Sequence, residues 1–72
     1  MDLKDIVAAN LRRIRHAKKI TLEGLADRVG LSSRYTGSVE RGAASPTVTV
    51  LGKLADVLGI EAGVLVSKRR TE

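Results

Sequence analysis

The side chains able to do chemistry are few and are gathered in the middle of the chain. Ser32, Ser33, Arg34, Thr36, Ser38 and Arg41 put hydroxyl and guanidinium groups into one short stretch, in which Tyr35 and Val39 are the chief apolar residues. Hydroxyls donate and accept hydrogen bonds, and a guanidinium offers a planar fork of donors. Such a stretch is equipped to recognise a polar or anionic surface rather than to break bonds. The usual requirements of bond-breaking are unmet elsewhere: no nucleophile beside a base, no paired carboxylates and no phosphate loop stand at recognisable spacing. The chain has no cysteine, and its one histidine, His16, has no further ligand type at metal spacing. His16 reads as a surface or capping residue. A chain of 72 residues also leaves little room for a ligand cavity of ordinary size. No enzyme, metal, cofactor or small-molecule ligand is expected.

The charge balance says what such a surface would meet. Thirteen Lys/Arg against eight Asp/Glu give a net charge of +5 and an isoelectric point near 10.3, which favours polyanionic partners through steering and phosphate contacts. Tyr35 is the lone aromatic residue, too little for the stacking platforms of single-stranded nucleic-acid binders. Duplex DNA is the better polyanion. The absence of cysteine removes the disulfides of small secreted domains. The longest early apolar run, 6–9, is too short for an export signal or a membrane span. A cytoplasmic, nucleoid-associated protein of the bacterial or phage type is expected. At this length a single apolar core is marginal, so a second copy is a plausible way to bury more surface.

The elements that must position these side chains follow from apolar periodicity. Leu3, Ile6, Val7, Leu11 and Ile14 keep helical spacing among charged residues, predicting a first helix over 3–18. Thr21 offers an N-cap hydroxyl before Leu22, Leu25, Ala26 and Val29, although Gly24 stands where a capping box would place Glu or Gln. A second helix over 22–29 ends at Gly30, which takes the left-handed conformation without penalty. Ser32 then caps a third, polar helix over 33–41. Residues 42–46 form a loop. The stretch 47–51 alternates β-branched residues like a strand, but Leu51, Leu54, Ala55 and Leu58 keep helical spacing, and a lone strand would leave its backbone unpaired. A fourth helix over 48–58 and a short fifth over 61–66 complete an all-α, compact five-helix bundle spanning 1–66, with 67–72 as a polar basic tail, frayed at its end.

Two short helices joined by a tight glycine-bearing turn, the second polar on its outer face, follow the logic of a helix-turn-helix. The run Thr21-Leu22-Glu23-Gly24-Leu25-Ala26-Asp27-Arg28-Val29-Gly30-Leu31-Ser32, followed by Tyr35, Val39-Glu40-Arg41-Gly42, Ser45-Pro46-Thr47 and 51–59, closely resembles the lambda-repressor-like helix-turn-helix family, also called the Xre or phage-repressor type. The resemblance covers about 7–66. It implies a homodimer that reads a near-palindromic double-stranded DNA operator, with half-sites roughly 34 Å apart. Matched position by position, Ser33, Arg34 and Ser38 fall where the family presents base-reading side chains. Lys19, Thr21, Ser32, Tyr35 and Arg41 are the candidates for the DNA backbone. Arg15 and Glu40 correspond to an ion pair that fixes the reading helix on the bundle, and Val64, Leu65 and Val66 to a dimer surface, with intrachain core the competing role.

Within that resemblance three positions depart or leave a choice. Leu22 occupies the place where the family often has a phosphate-contacting Gln. Thr36 stands where a buried aliphatic is usual, so its hydroxyl either bonds back to the Ser32 carbonyl or thins the core. Gly37 costs a helix about 1 kcal/mol relative to alanine, which suggests close approach to DNA or tight packing on the second helix. Arg12, Arg13, Lys18 and Lys19 either track the DNA backbone or are solvated charges. The expected function is a sequence-specific transcriptional regulator, a repressor or small-operon controller such as those of restriction-modification or prophage genes. The alternative on the same fold is an antitoxin-like protein-interaction module, which commonly carries a long partner-binding segment where only about six residues follow the fifth helix.

Overall fold

A computed structural model describes residues 2–68; 69–72, the end of the expected tail, lie outside the described residues. Within them the chain forms α1 (Leu3–Ala17), α2 (Leu22–Val29), α3 (Ser33–Glu40), α4 (Val48–Leu58) and α5 (Ala62–Val66). Among the described residues there is no strand, and no helix is long and apolar enough to cross a membrane. The helix over the β-branched run 48–50 is decided by the fourth helix as a whole: Leu54, Ala55 and Leu58 bury one face of it.

Capping sets three of the helix starts. The hydroxyls of Thr21, Ser32 and Thr47 accept from the backbone N–H groups of Gly24, Tyr35 and Val50 at 3.0, 3.0 and 3.1 Å, satisfying donors that a helix start leaves unpaired. α2 ends at Gly30 (φ 74°), where the Leu31 N–H reaches back to the Ala26 carbonyl at 2.9 Å; only a residue at ease with positive φ closes the helix this way. Three predicted ends move by a residue. Lys18 and Arg41 are C-caps of α1 and α3 rather than members of them, and Glu61 is the N-cap of α5. Lys19 adopts φ 58° in the turn between α1 and α2, a feature its side chain does not announce.

Val7, Leu11 and Ile14 of α1, Leu25 and Val29 of α2, Val39 of α3, Leu54, Ala55 and Leu58 of α4 and Leu65 of α5 make one core. α1 packs against α3 and α5, α2 against α3 and α4, and α4 against α5. Leu3, expected on the core face of α1, is instead exposed. α3 is more deeply set than its polar composition suggests. Thr36, Gly37, Val39 and Glu40 are all buried, and two of those carry polar side chains that need internal partners.

Candidate nucleic-acid interface

α3 has two unlike sides. The side toward the bundle is anchored by Val39 and by Thr36, whose hydroxyl donates to the Ser32 carbonyl at 2.9 Å and so needs no further partner. The back-bond is the first of the two alternatives left by the sequence. The other side presents Ser32, Ser33, Arg34 and Arg41 exposed and Ser38 partly so. Ser38 Oγ donates to the Arg34 carbonyl at 3.1 Å and accepts from Arg41 Nη2 at 3.3 Å, so part of the hydrogen-bonding capacity expected of Ser38 is used inside the helix. Tyr35 is partly buried and packs on the core. Lys19 and Thr21, expected to meet the backbone of a polyanion, are exposed at the approach to α2, with the Thr21 hydroxyl also holding the helix cap.

The exposed side of α3 is held at a fixed attitude by charged groups beneath it. Glu40, at the end of α3, takes a fork from Arg15 of α1: Nε bonds Oε2, and Nη2 bonds Oε1 at 3.0 Å. Arg15 Nη1 also donates to the Ile20 carbonyl at 2.8 Å, tying the turn before α2 into the same cluster. Bidentate geometry fixes direction as well as distance. The hydrogen bond that Arg15 donates to Glu40 raises the Arg15 pKa above the ordinary arginine value; burial opposes this, and the charges of Glu40 and Glu23 add to it. The pair expected from the sequence is thus present, and it sits under the helix rather than on its surface.

Two further ties were not legible in advance. Arg12, whose expected roles were backbone tracking or simple solvation, donates through Nη1 to the Glu40 main-chain carbonyl at 2.9 Å, capping the C-terminal end of α3 where carbonyls lack partners and attract cations. Asn10 is buried, and its Nδ2 lies 3.2, 2.9 and 2.9 Å from the carbonyls of Val64, Leu65 and Ser67. It thereby closes the end of α5 in place of a glycine cap. A lone Asn among apolar residues of α1 was the available signal. Arg13 Nη2 donates to Asn10 Oδ1 at 3.0 Å, orienting the amide. Among the described residues no buried side-chain nitrogen or oxygen lacks a partner.

α5 divides the three residues assigned to a dimer surface. Leu65 is fully buried in the chain's own core, Val64 is exposed and Val66 is partly buried. For Leu65 the intrachain role prevails, since a side chain with no accessible area has no surface left to offer a second copy. α5 packs on α1 and α4, and α3 packs on α1 and α2, so α1 is the element that supports both.

Residues 6–67 match the family described as a helix-turn-helix domain. An uncharacterised HTH-type transcriptional regulator of Sinorhizobium fredii is 40% identical over 67 residues, covering 93% of this chain and 87% of that protein. A control protein of Serratia marcescens, C.SmaI, is 36% identical over 69 residues, covering 96% and 82%. Among solved structures, the restriction-modification controller protein C.AhdI from Aeromonas hydrophila superposes with a TM-score of 0.83 at 37% identity, covering 86% of this chain and 94% of its own.

Proposed function

The chain belongs to the helix-turn-helix domain family and is a DNA-binding transcriptional regulator, and from that premise we propose that it is a repressor or small-operon controller that binds a near-palindromic operator as a homodimer. It acts by occupancy rather than catalysis, in the cytoplasm. The observation that carries this reading is the exposed side of α3, with Ser32, Ser33 and Arg34 at its start, clamped from beneath through Glu40 to Arg15 and Arg12. The similarity to the control protein C.SmaI and to the restriction-modification controller protein C.AhdI supports the small-operon role.

In this reading α3 enters the major groove while α2 crosses the backbone. Arg34 forks onto O6 and N7 of a guanine, a contact worth about 1–3 kcal/mol of discrimination. Ser33 and Ser38 make weaker, more tolerant base contacts. Lys19 and Arg41 neutralise phosphates, with Thr21, Ser32 and Tyr35 beside them. Dimerisation uses the exposed Val64 and the partly buried Val66 of α5, and two copies of α3 then address half-sites about 34 Å apart.

The test is selection of bound sequences from random duplex DNA, followed by titration of the winning site and of scrambled DNA across a salt series. A palindromic site bound about 10³-fold more tightly than scrambled DNA is expected. Lys19 and Arg41 in two protomers neutralise enough phosphate for a slope of log K against log salt of about −3.6 or steeper. Failure to enrich any motif would reject operator reading and leave α3 as a scaffold for binding another protein.

A further inference from the structure

Gly37 lies in the middle of α3, where glycine is the weakest helix former after proline, and it is buried. An ideal Cβ on Gly37 would stand 3.0 Å from Arg41 Nη1 and 3.4 Å from Leu22 Cδ2. The tighter neighbour is thus the far end of a flexible charged side chain, not the backbone of α2. Arg41 reaches this place by folding back along α3, with Nη2 3.3 Å from Ser38 Oγ. Ser38 Oγ is itself held by its bond to the Arg34 carbonyl at 3.1 Å. Leu22, in the family position often occupied by a phosphate-binding Gln, contributes only an apolar wall here.

We propose that Gly37 is a positioning residue for DNA binding: by leaving its Cβ position vacant it lets the Arg41 guanidinium lie back against α3 and the first turn of α2, where it meets a DNA phosphate that Leu22 cannot bind. The inference rests on α3 being the DNA-facing helix. Packing against α2 alone does not explain the glycine, because the α2 contact at 3.4 Å is at the edge of ordinary van der Waals distance while the contact with Arg41 is tighter. Ser38 serves as the rest that keeps the guanidinium from swinging into solvent. Arg41 held this way loses less rotamer freedom on binding than a free arginine, which strengthens the contact.

The test is a double-mutant cycle on Gly37→Ala and Arg41→Ala, read by affinity for the selected operator over a salt series and by thermal unfolding. Arg41→Ala, carried by both protomers of the dimer, is expected to weaken binding about a hundredfold, the loss of one charge-assisted hydrogen bond per protomer, and to make the salt slope shallower by about 1.8. Gly37→Ala is expected to reproduce most of that loss and the same change of slope, with Tm unchanged or raised by up to about 4–8 °C. In the Arg41→Ala background Gly37→Ala should then cost nothing more. Additive losses, or a Gly37→Ala variant with wild-type affinity and slope, overturn the proposal while leaving α3 as the DNA-facing helix. An Arg41→Ala variant with wild-type affinity overturns both the phosphate contact and the role of Gly37. Should alanine lower Tm by crowding Leu22, the coupling within the cycle still decides.

Discussion

Replacing Glu40 by alanine tests how α3 is held. The side chains of Glu40 and Arg15 keep only 7% and 12% of their accessible area, so the pair is a buried one. Glu40→Ala leaves the Arg15 guanidinium enclosed with the Ile20 carbonyl as its remaining main-chain acceptor, and breaking a buried pair from one side costs about 3–5 kcal/mol. A domain of 72 residues has about 4–11 kcal/mol of stability in total, so Glu40→Ala removes about a quarter or more of it and unfolds a large fraction of the protein if the total lies at the low end. Replacing both partners with apolar residues of similar volume, Arg15→Met with Glu40→Leu, removes the unpaired charge and should restore most of the loss. A residue of about 1 kcal/mol stays lost with the Ile20 contact. The assay is urea unfolding of the wild type, both single variants and the double variant, with the coupling taken from the cycle. A cost below about 1 kcal/mol for Glu40→Ala would put the pair among surface ion pairs and refute the clamp. The sign of the pH effect follows from Arg15. Its folded pKa is raised, chiefly by the hydrogen bond it donates to Glu40, so its contribution is fully present below the ordinary arginine value and is lost only as pH rises through the still higher folded value.

Four further outcomes are expected. Asn10→Ala strips the Val64, Leu65 and Ser67 carbonyls of their donor and should lower stability by about 1–3 kcal/mol, with hydrogen exchange accelerating first in α5; uniform acceleration across the chain would contradict the local latch. Thr36→Val keeps the shape of a side chain that is 1% exposed, and the Ser32 carbonyl retains the Thr36 N–H at 3.0 Å, so stability should change by less than about 1 kcal/mol; a larger loss means the hydroxyl bond does more than satisfy itself. Arg34→Ala should leave Tm unchanged while relaxing base preference at one operator position by about 1–3 kcal/mol, and a uniform loss across all sequences would instead make Arg34 a phosphate contact. Val64→Lys should shift the sedimentation profile toward monomer with the fold intact; an unchanged dimer would move the interface off α5.

Local chemistry carried the fold's outline. The hydroxyls of Thr21, Ser32 and Thr47 and the glycines at 30 and 59 act on their own backbone within a few residues, so the helix boundaries they set were readable to within one position. Apolar spacing marked Val7, Leu11, Ile14, Leu25, Val29, Leu54 and Leu58, all of them core, because a helix has one buried stripe whatever it packs against. The exposed side of α3 was legible for the complementary reason: Ser33, Arg34 and Arg41 have no way to be buried without partners. The family pattern supplied the Arg15–Glu40 pairing, which spacing alone does not show.

What joins residues far apart in the chain waited for the tertiary structure. Asn10 and the carbonyls of α5 are separated by more than fifty positions, and no local rule says which amide meets which helix end. Leu65 and Val64 are adjacent and equally apolar, and only the direction in which α5 lies on α1 and α4 buries one and exposes the other. The sequence by itself determined which helices form and which residues are polar enough to stay outside, because those depend on near neighbours and on water. How the Arg41 side chain comes to lie beside Gly37 and Leu22 was decided by packing, because it depends on where α2 comes to rest against α3.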